Sequence, residues 1–162
     1  DNPKLDCRLK GFEKFSPKRI IIDRNLKIKI NSNIYKSVKK NNTMIFHNSL
    51  NNNKIQILKK RGIILIKTKI DNKKLFNFRL ILKKLYTLGT RNLLVEGGDK
   101  MTKSLIKNRL INKFYLFKSS KVLSVTKKHK VFTSYSILNS IYKKKYKIST
   151  KLAKDNITIY KR

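Results

Sequence analysis

The chain has 162 residues, with 42 Lys+Arg against 8 Asp+Glu, a formal net charge of +34 and 40% hydrophobic residues. That length and apolar content suit one domain with its own core, while the single cysteine, Cys7, excludes an internal disulfide and no clustered His or Cys spacing supports a structural zinc. No apolar run approaches the ~18 residues of a membrane span and no secretory leader opens the chain, so a soluble protein of the reducing cytoplasm is expected.

In chain order, the β-branched run at residues 19–23 follows Pro17, and residues 43–47 and 63–67 form two more short apolar runs, each expected as a buried strand of an α/β sheet. The Asn-rich stretches at 31–42 and 48–54 are expected as loops or poorly capped helical turns. In residues 74–88, Leu75, Phe78, Leu82, Leu85 and Tyr86 recur at spacings of three and four, which predicts an amphipathic helix. Asp71 or Asn72 is expected to cap its start, and Gly89 to end it in a left-handed conformation. The apolar run Leu93-Leu94-Val95 then predicts a strand, so residues 63–95 read as strand, helix, strand with a right-handed parallel crossover. Met101, Leu105 and Leu110 continue as a shorter helix, and residues 114–117 as an aromatic strand. Period-two alternation in 146–152 and 156–161, around a turn near Lys154-Asp155, predicts an antiparallel hairpin. The fold class is therefore α/β, with a mixed, mostly parallel sheet flanked by helices and a C-terminal antiparallel hairpin.

The charge ordinarily points to nucleic acid or an anionic surface. Here the lysines are scattered through every segment and Ala occurs only at Ala153, a skew expected when A/T-rich codons fill every tolerant position. No single basic stripe emerges, so no specific nucleic-acid partner and no membrane partner are expected. A basic nucleic-acid-binding domain remains the competing reading from a different class; it requires a clustered positive face with interleaved aromatics such as Tyr142 and Tyr146.

The most informative stretch is Val95-Glu96-Gly97-Gly98 entering the helix. Two adjacent glycines lack Cβ atoms, so the backbone is free to adopt φ > 0 and a ligand phosphate can approach the main chain at a helix N-terminus. Glu96 is expected at the carboxyl end of the strand, facing whatever lies over the sheet. A Glu-Gly-Gly turn alone also fits a plain strand-to-helix connection with an exposed acid. Two further motifs stand upstream: Asp1-Asn2-Pro3-Lys4-Leu5-Asp6-Cys7-Arg8, and Pro17-Lys18-Arg19-Ile20-Ile21-Ile22-Asp23. His47 and His129 are expected as ordinary surface or edge residues, and Cys7 as a small packed residue.

In their order and spacing these three motifs resemble the reductase domain of bacterial RibD proteins of riboflavin biosynthesis, over most of the chain. The resemblance implies a dihydrofolate-reductase-like fold. It also implies NADPH-dependent reduction of the ribosyl group of 5-amino-6-(5-phosphoribosylamino)uracil to the ribitylamino product. By position it assigns Leu5, Arg8 and Glu96 to substrate binding, with the Arg8 guanidinium suited to a phosphate. Asp1 matches a cofactor-contacting residue that is also a candidate catalytic group. It assigns Gly97, Gly98, Asp99, Lys100, Met101, Thr102, Lys103 and Ser104 to the NADPH pyrophosphate; Arg24 stands where related proteins often carry a small hydroxyl residue near the adenosine phosphate, and is read either as a partner of the 2′-phosphate or as one more solvated cation. The partners implied are the phosphorylated ribosylaminopyrimidine substrate, a second copy in a homodimer, and a deaminase domain, fused or separate. No metal site is implied. Because the chain opens at Asp1 inside a motif, a longer protein is expected. Another dihydrofolate-reductase-like enzyme acting on a pterin is also compatible with the Glu-Gly-Gly turn; the Asp-Asn-Pro-x-Leu-x-x-Arg segment favours the phosphosugar.

Overall fold

A computed structural model describes residues 2–39, 42–120, 132–148 and 155–162. The chain divides into two compact units, Asp1–Gly89 and Thr90–Arg162.

The first unit is built on a parallel three-stranded sheet of order β1 (Arg19–Ile22), β2 (Thr43–His47) and β3 (Ile64–Lys67). Ile21 lies beside Ile45 and Ile45 beside Leu65, whereas Ile22, Phe46 and Ile66 form the next row. Successive side chains point to opposite faces, so each row builds a different core. On one face Ile45 packs with Leu26, Val38, Leu58 and Ile63; on the other Phe46 packs with Ile81 and Leu85. The near-continuous β-branched runs read from the sequence are what a sheet covered on both faces requires.

Three helices connect and cover these strands. Helix α1 (Asn33–Lys36) is a single turn whose Ser32 side chain accepts from the Tyr35 amide, and α2 (Asn52–Lys60) starts where Asn51 accepts from the Lys54 amide. The first lies within, and the second begins in, a stretch expected as loop or poorly capped helical turn. Asparagine scores poorly inside helices but caps them well, and burial of Ile34 and Leu58 supplies the rest. Arg61 ties the exit of α1 by donating to the Tyr35 and Lys36 carbonyls.

Helix α3 (Phe78–Thr87) is shorter than expected, and its cap is Asn77, which accepts from the Arg79 amide. Neither Asp71 nor Asn72 caps it. The Asp71 carboxylate instead accepts from the Leu75 amide in a separate turn, with Lys74 at φ 58. A residue in the left-handed region cannot propagate an α-helix, so the helix starts later. Its buried stripe is Ile81 and Leu85 with Phe78, whereas Leu75 and Tyr86 are exposed. Gly89 follows the helix at φ +86, as expected.

The second unit opens without the expected strand. Residues 91–98 adopt no regular structure, and Leu94 is 81% exposed. An apolar run becomes a strand only when a neighbour completes its hydrogen-bond ladder, and no described strand pairs with it. The strand-helix-strand crossover is therefore absent among the described residues. Helix α4 (Asp99–Lys107) then leads to β4 (Lys113–Lys118), α5 (Tyr135–Ile141), β5 (Lys144–Ile148) and β6 (Asn156–Lys161).

These strands form an antiparallel sheet of order β4-β6-β5. The C-terminal hairpin pairs as expected, with its connecting residues 149–154 outside the described set. The antiparallel strands stand in a sheet separate from the parallel one. Ile106, Leu138, Tyr142 and Tyr160 form this unit's core, flanked by Phe114 and Leu116, and the Tyr142 hydroxyl donates to the Ile111 carbonyl over 3.0 Å. Among the described residues no helix is long and apolar enough to cross a membrane.

Candidate active site

The N-terminal motif is held by backbone contacts more than by burial. The Asn2 side chain accepts from the Asn33 amide over 2.9 Å, and the Asn33 side chain donates to the Asn2 carbonyl over 2.6 Å. Two residues on, the Lys4 carbonyl accepts from Arg19 over 3.2 Å. Between these anchors and the Cys7 amide, which donates to Ser16 Oγ, Leu5 sits at φ 53. That conformation is costly for a leucine and persists because its neighbours are pinned on both sides. The result presents the Arg8 side chain to solvent, with Leu5 half-buried. Asp1 lies outside the described residues.

Arg19 makes this arrangement possible. It is only 5% exposed, and its guanidinium donates to Thr43 Oγ1 (2.8 and 3.1 Å), Ser37 Oγ (2.7 Å), the Ser37 carbonyl (3.0 Å) and Asn42 Oδ1 (3.3 Å) as well as to Lys4. One side chain thus joins the N-terminal segment, the end of α1 and the start of β2. Burial pulls its pKa below the ordinary arginine value, partly countered by Asp6. Sequence reasoning treated Arg19 as part of a motif and missed this bracing role. Its place at the head of a strand beside a threonine in the next strand was the available signal.

At the carboxyl edge of the parallel sheet, Asp23 accepts from the Ile28 amide over 2.8 Å. Arg24 is half-buried; its Nη1 donates to the Lys74 carbonyl and its Nε lies 3.4 Å from Asn25 Oδ1. This guanidinium thereby ties the 71–76 turn to the end of β1. His47, expected at the surface or an edge, ends β2 but is 3% exposed, and its Nδ1 is buried without a hydrogen-bond partner. Burial chiefly lowers its pKa; Lys67 and Lys59 push the same way, while Asp23 and the Ser49 backbone oppose them. The neutral imidazole is favoured because two cations and a desolvated pocket both disfavour a second positive charge.

The glycine turn belongs to the second unit. Glu96, Gly97 and Gly98 are exposed. Gly98 is the N-cap of α4 at φ −71 and ψ 163, and Gly97 also lies outside the positive-φ glycines, so the expectation of a left-handed turn is corrected. The absent Cβ matters differently at each position. A Cβ on Gly97 falls 2.1 Å from Met101 Cε, whereas one on Gly98 meets nothing within 4 Å. The helix N-terminus carries no side-chain cap.

Of the eight residues expected at the pyrophosphate, the six from Asp99 to Ser104 divide accordingly. The Met101 and Thr102 amides donate to the Gly98 carbonyl, and Lys103 and Ser104 lie within the helical ladder. That leaves the amides of Asp99 and Lys100 at the open end. The Asp99 carboxylate turns away, accepting from the Thr133 amide (3.2 Å) and hydroxyl (2.7 Å) and from Ser134 Oγ (3.3 Å). The Thr133 hydroxyl bond is the main cause of its lowered pKa, with Lys103 contributing less. Asp99 is thus an anchor between α4 and the approach to α5. Among the described residues no group of His, Cys, Asp or Glu could hold a metal ion.

Comparison with known proteins accounts for these motifs. A family model described as the RibD C-terminal domain matches residues 1–158. The chain is 28% identical over all 162 residues to a riboflavin biosynthesis protein RibD of Aquifex aeolicus, of which it spans 43%. It is 25% identical over 123 residues, 76% of its length, to the corresponding protein of Actinobacillus pleuropneumoniae, of which that match covers 32%. Among solved structures, Acinetobacter baumannii RibD superposes on 99% of the chain with a TM-score of 0.70 at 15% identity, covering 43% of that protein. A pyrimidine reductase-like protein of Corynebacterium diphtheriae superposes on 90% with a TM-score of 0.63 at 12% identity, covering 61% of that chain. The chain spans less than half the length of the curated relatives it matches.

Proposed function

The chain belongs to the RibD C-terminal domain family, and we propose that it is the reductase part of a cytoplasmic riboflavin-biosynthesis protein. The reaction is reduction of the ribosyl group of 5-amino-6-(5-phosphoribosylamino)uracil to the ribitylamino product. NADPH supplies the hydride. In the ring-opened substrate the ribose carbon is an imine, so it accepts hydride and its nitrogen takes a proton while the pyrimidine is untouched. The partners in this reading are a deaminase domain, fused or separate, and a second copy in a homodimer.

The observation that carries the reading is the entry to α4, where the helix end is uncapped and space is open beside Gly98. The amides of Asp99 and Lys100 and the positive end of the helix suit a pyrophosphate there. Arg8, exposed on a braced segment, is suited to the substrate phosphate through two parallel charge-assisted hydrogen bonds. Glu96 accepts hydrogen bonds from sugar hydroxyls or pyrimidine N–H groups. Leu5 supplies apolar contact, Asp1 orients the reacting ribose, and Arg24 meets the 2′-phosphate.

The test is NADPH oxidation by the full-length protein with its phosphoribosylaminouracil substrate. Arg8→Ala should raise KM for substrate with little change in NADPH affinity. Gly98→Val should weaken NADPH binding by about tenfold or more, since its branched side chain fills the space above the amides. Unaltered NADPH affinity in Gly98→Val overturns the cofactor assignment.

A further inference from the structure

The second unit has a cleft of about 290 Å³ between α5 and the β5–β6 hairpin, away from the glycine turn in sequence. It is lined by Tyr135, Lys145, Tyr146, Lys147, Thr158 and Tyr160. No lining residue carries a carboxylate. At its base, Tyr160 is 1% exposed, and its hydroxyl donates to Asn139 Oδ1 over 3.2 Å. Lys145 Nζ reaches the same oxygen at 3.5 Å. One neutral carbonyl oxygen therefore gathers a phenol and an ammonium, a donor-rich arrangement without an anionic acceptor. Tyr135 responds to the same field. Hydrogen bonds from Asn139 and Tyr160 hold its phenol below the ordinary value, and Lys145 and Lys118 add to the effect.

The Tyr135 ring remains about half exposed, whereas Tyr146 alternates with Lys145 and Lys147 along β5, so its ring lies on the other face of the sheet with Lys161, whose Nζ stands 5.3 Å from the ring centre. We propose that this cleft binds a small organic phosphate bearing one aromatic ring, of the size of a mononucleotide. Lys145, Lys147 and the Thr158 hydroxyl share one face of the hairpin and receive the phosphate, and the exposed Tyr135 ring packs against the ligand's ring. The volume lies at the lower end of small-molecule sites and suits a ligand smaller than a dinucleotide. The inference stands independently of the reductase reading, since it uses none of that site's residues.

The competing explanation is diffuse attraction by a chain of net charge +34. Titration of the 162-residue chain with phenyl phosphate at about 0.15 M salt, followed by tyrosine-ring NMR, separates the two. The expected result is saturable binding, tighter for phenyl phosphate than for inorganic phosphate. Lys145→Gln/Lys147→Gln should weaken it about tenfold, as loss of charge-assisted hydrogen bonds predicts. Tyr135→Ala should remove most of the advantage of phenyl over inorganic phosphate. Lys83→Gln/Lys84→Gln, which removes the same charge from α3, should leave affinity unchanged. Non-saturating shifts, or equal weakening by the two lysine pairs, overturn the proposal.

Discussion

Removing the guanidinium of Arg19 tests whether a single buried cation braces the N-terminal motif. In Arg19→Met the aliphatic stem keeps its volume while every donor is lost. Of the acceptors, the Lys4 and Ser37 groups lie on exposed residues and regain water, whereas Thr43 is buried. Even Thr43 Oγ1 keeps a bond of its own, donating to Asn42 Oδ1 over 2.8 Å. The expected loss combines one or two charge-assisted hydrogen bonds, each net about 1.5–3 kcal/mol, with relief of the cation's desolvation. The sum is about 3 kcal/mol, taken from the first unit. Arg19→Lys should recover less than half, since a point charge cannot span Thr43, Ser37 and Lys4 together. Denaturant unfolding measures the loss. Amide exchange of residues 4–8 measures the release of the braced segment and should rise in Arg19→Met. A loss below about 1 kcal/mol, or full rescue by lysine, refutes the bracing argument.

At the entry to α4, Gly98→Ala should change unfolding free energy by less than about 0.5 kcal/mol, because its Cβ meets nothing, while Gly97→Ala should cost more but at most about 1 kcal/mol, because only the flexible end of Met101 has to move. Denaturant titration of both variants checks the asymmetry. Because the folded Asp99 carboxyl lies below its ordinary 3.8, it stabilises the second unit above that pH and the contribution is lost as pH falls through the folded value. Asp99→Asn should flatten that acid limb in unfolding followed by tyrosine absorbance. His47 has the same slope for a different reason: its folded pKa lies below its ordinary 6.5, so the unfolded imidazole protonates first and the first unit loses stability as pH falls below that value. His47→Gln should reduce this dependence in denaturant unfolding measured between about pH 5 and 7.5.

Local pattern determined what depends on near neighbours in the chain. The β-branched runs at 19–22, 43–47 and 64–67 became strands because alternate side chains could bury on two faces. Gly89 ended its helix because only a residue without Cβ takes φ +86 cheaply. The three motifs likewise carried the family, since their residue types and order are properties of the chain itself. Tertiary structure decided the rest. Leu93-Leu94-Val95 had every intrinsic mark of a strand, yet a strand needs a partner's backbone, which no window of sequence contains. Asn51 and Asn77 became caps because the chain's path placed their side chains over helix amides. Arg19, His47 and Tyr160 were invisible as buried polar groups: burial and hydrogen bonding depend on residues 24, 20 and 21 positions away, brought together only by packing.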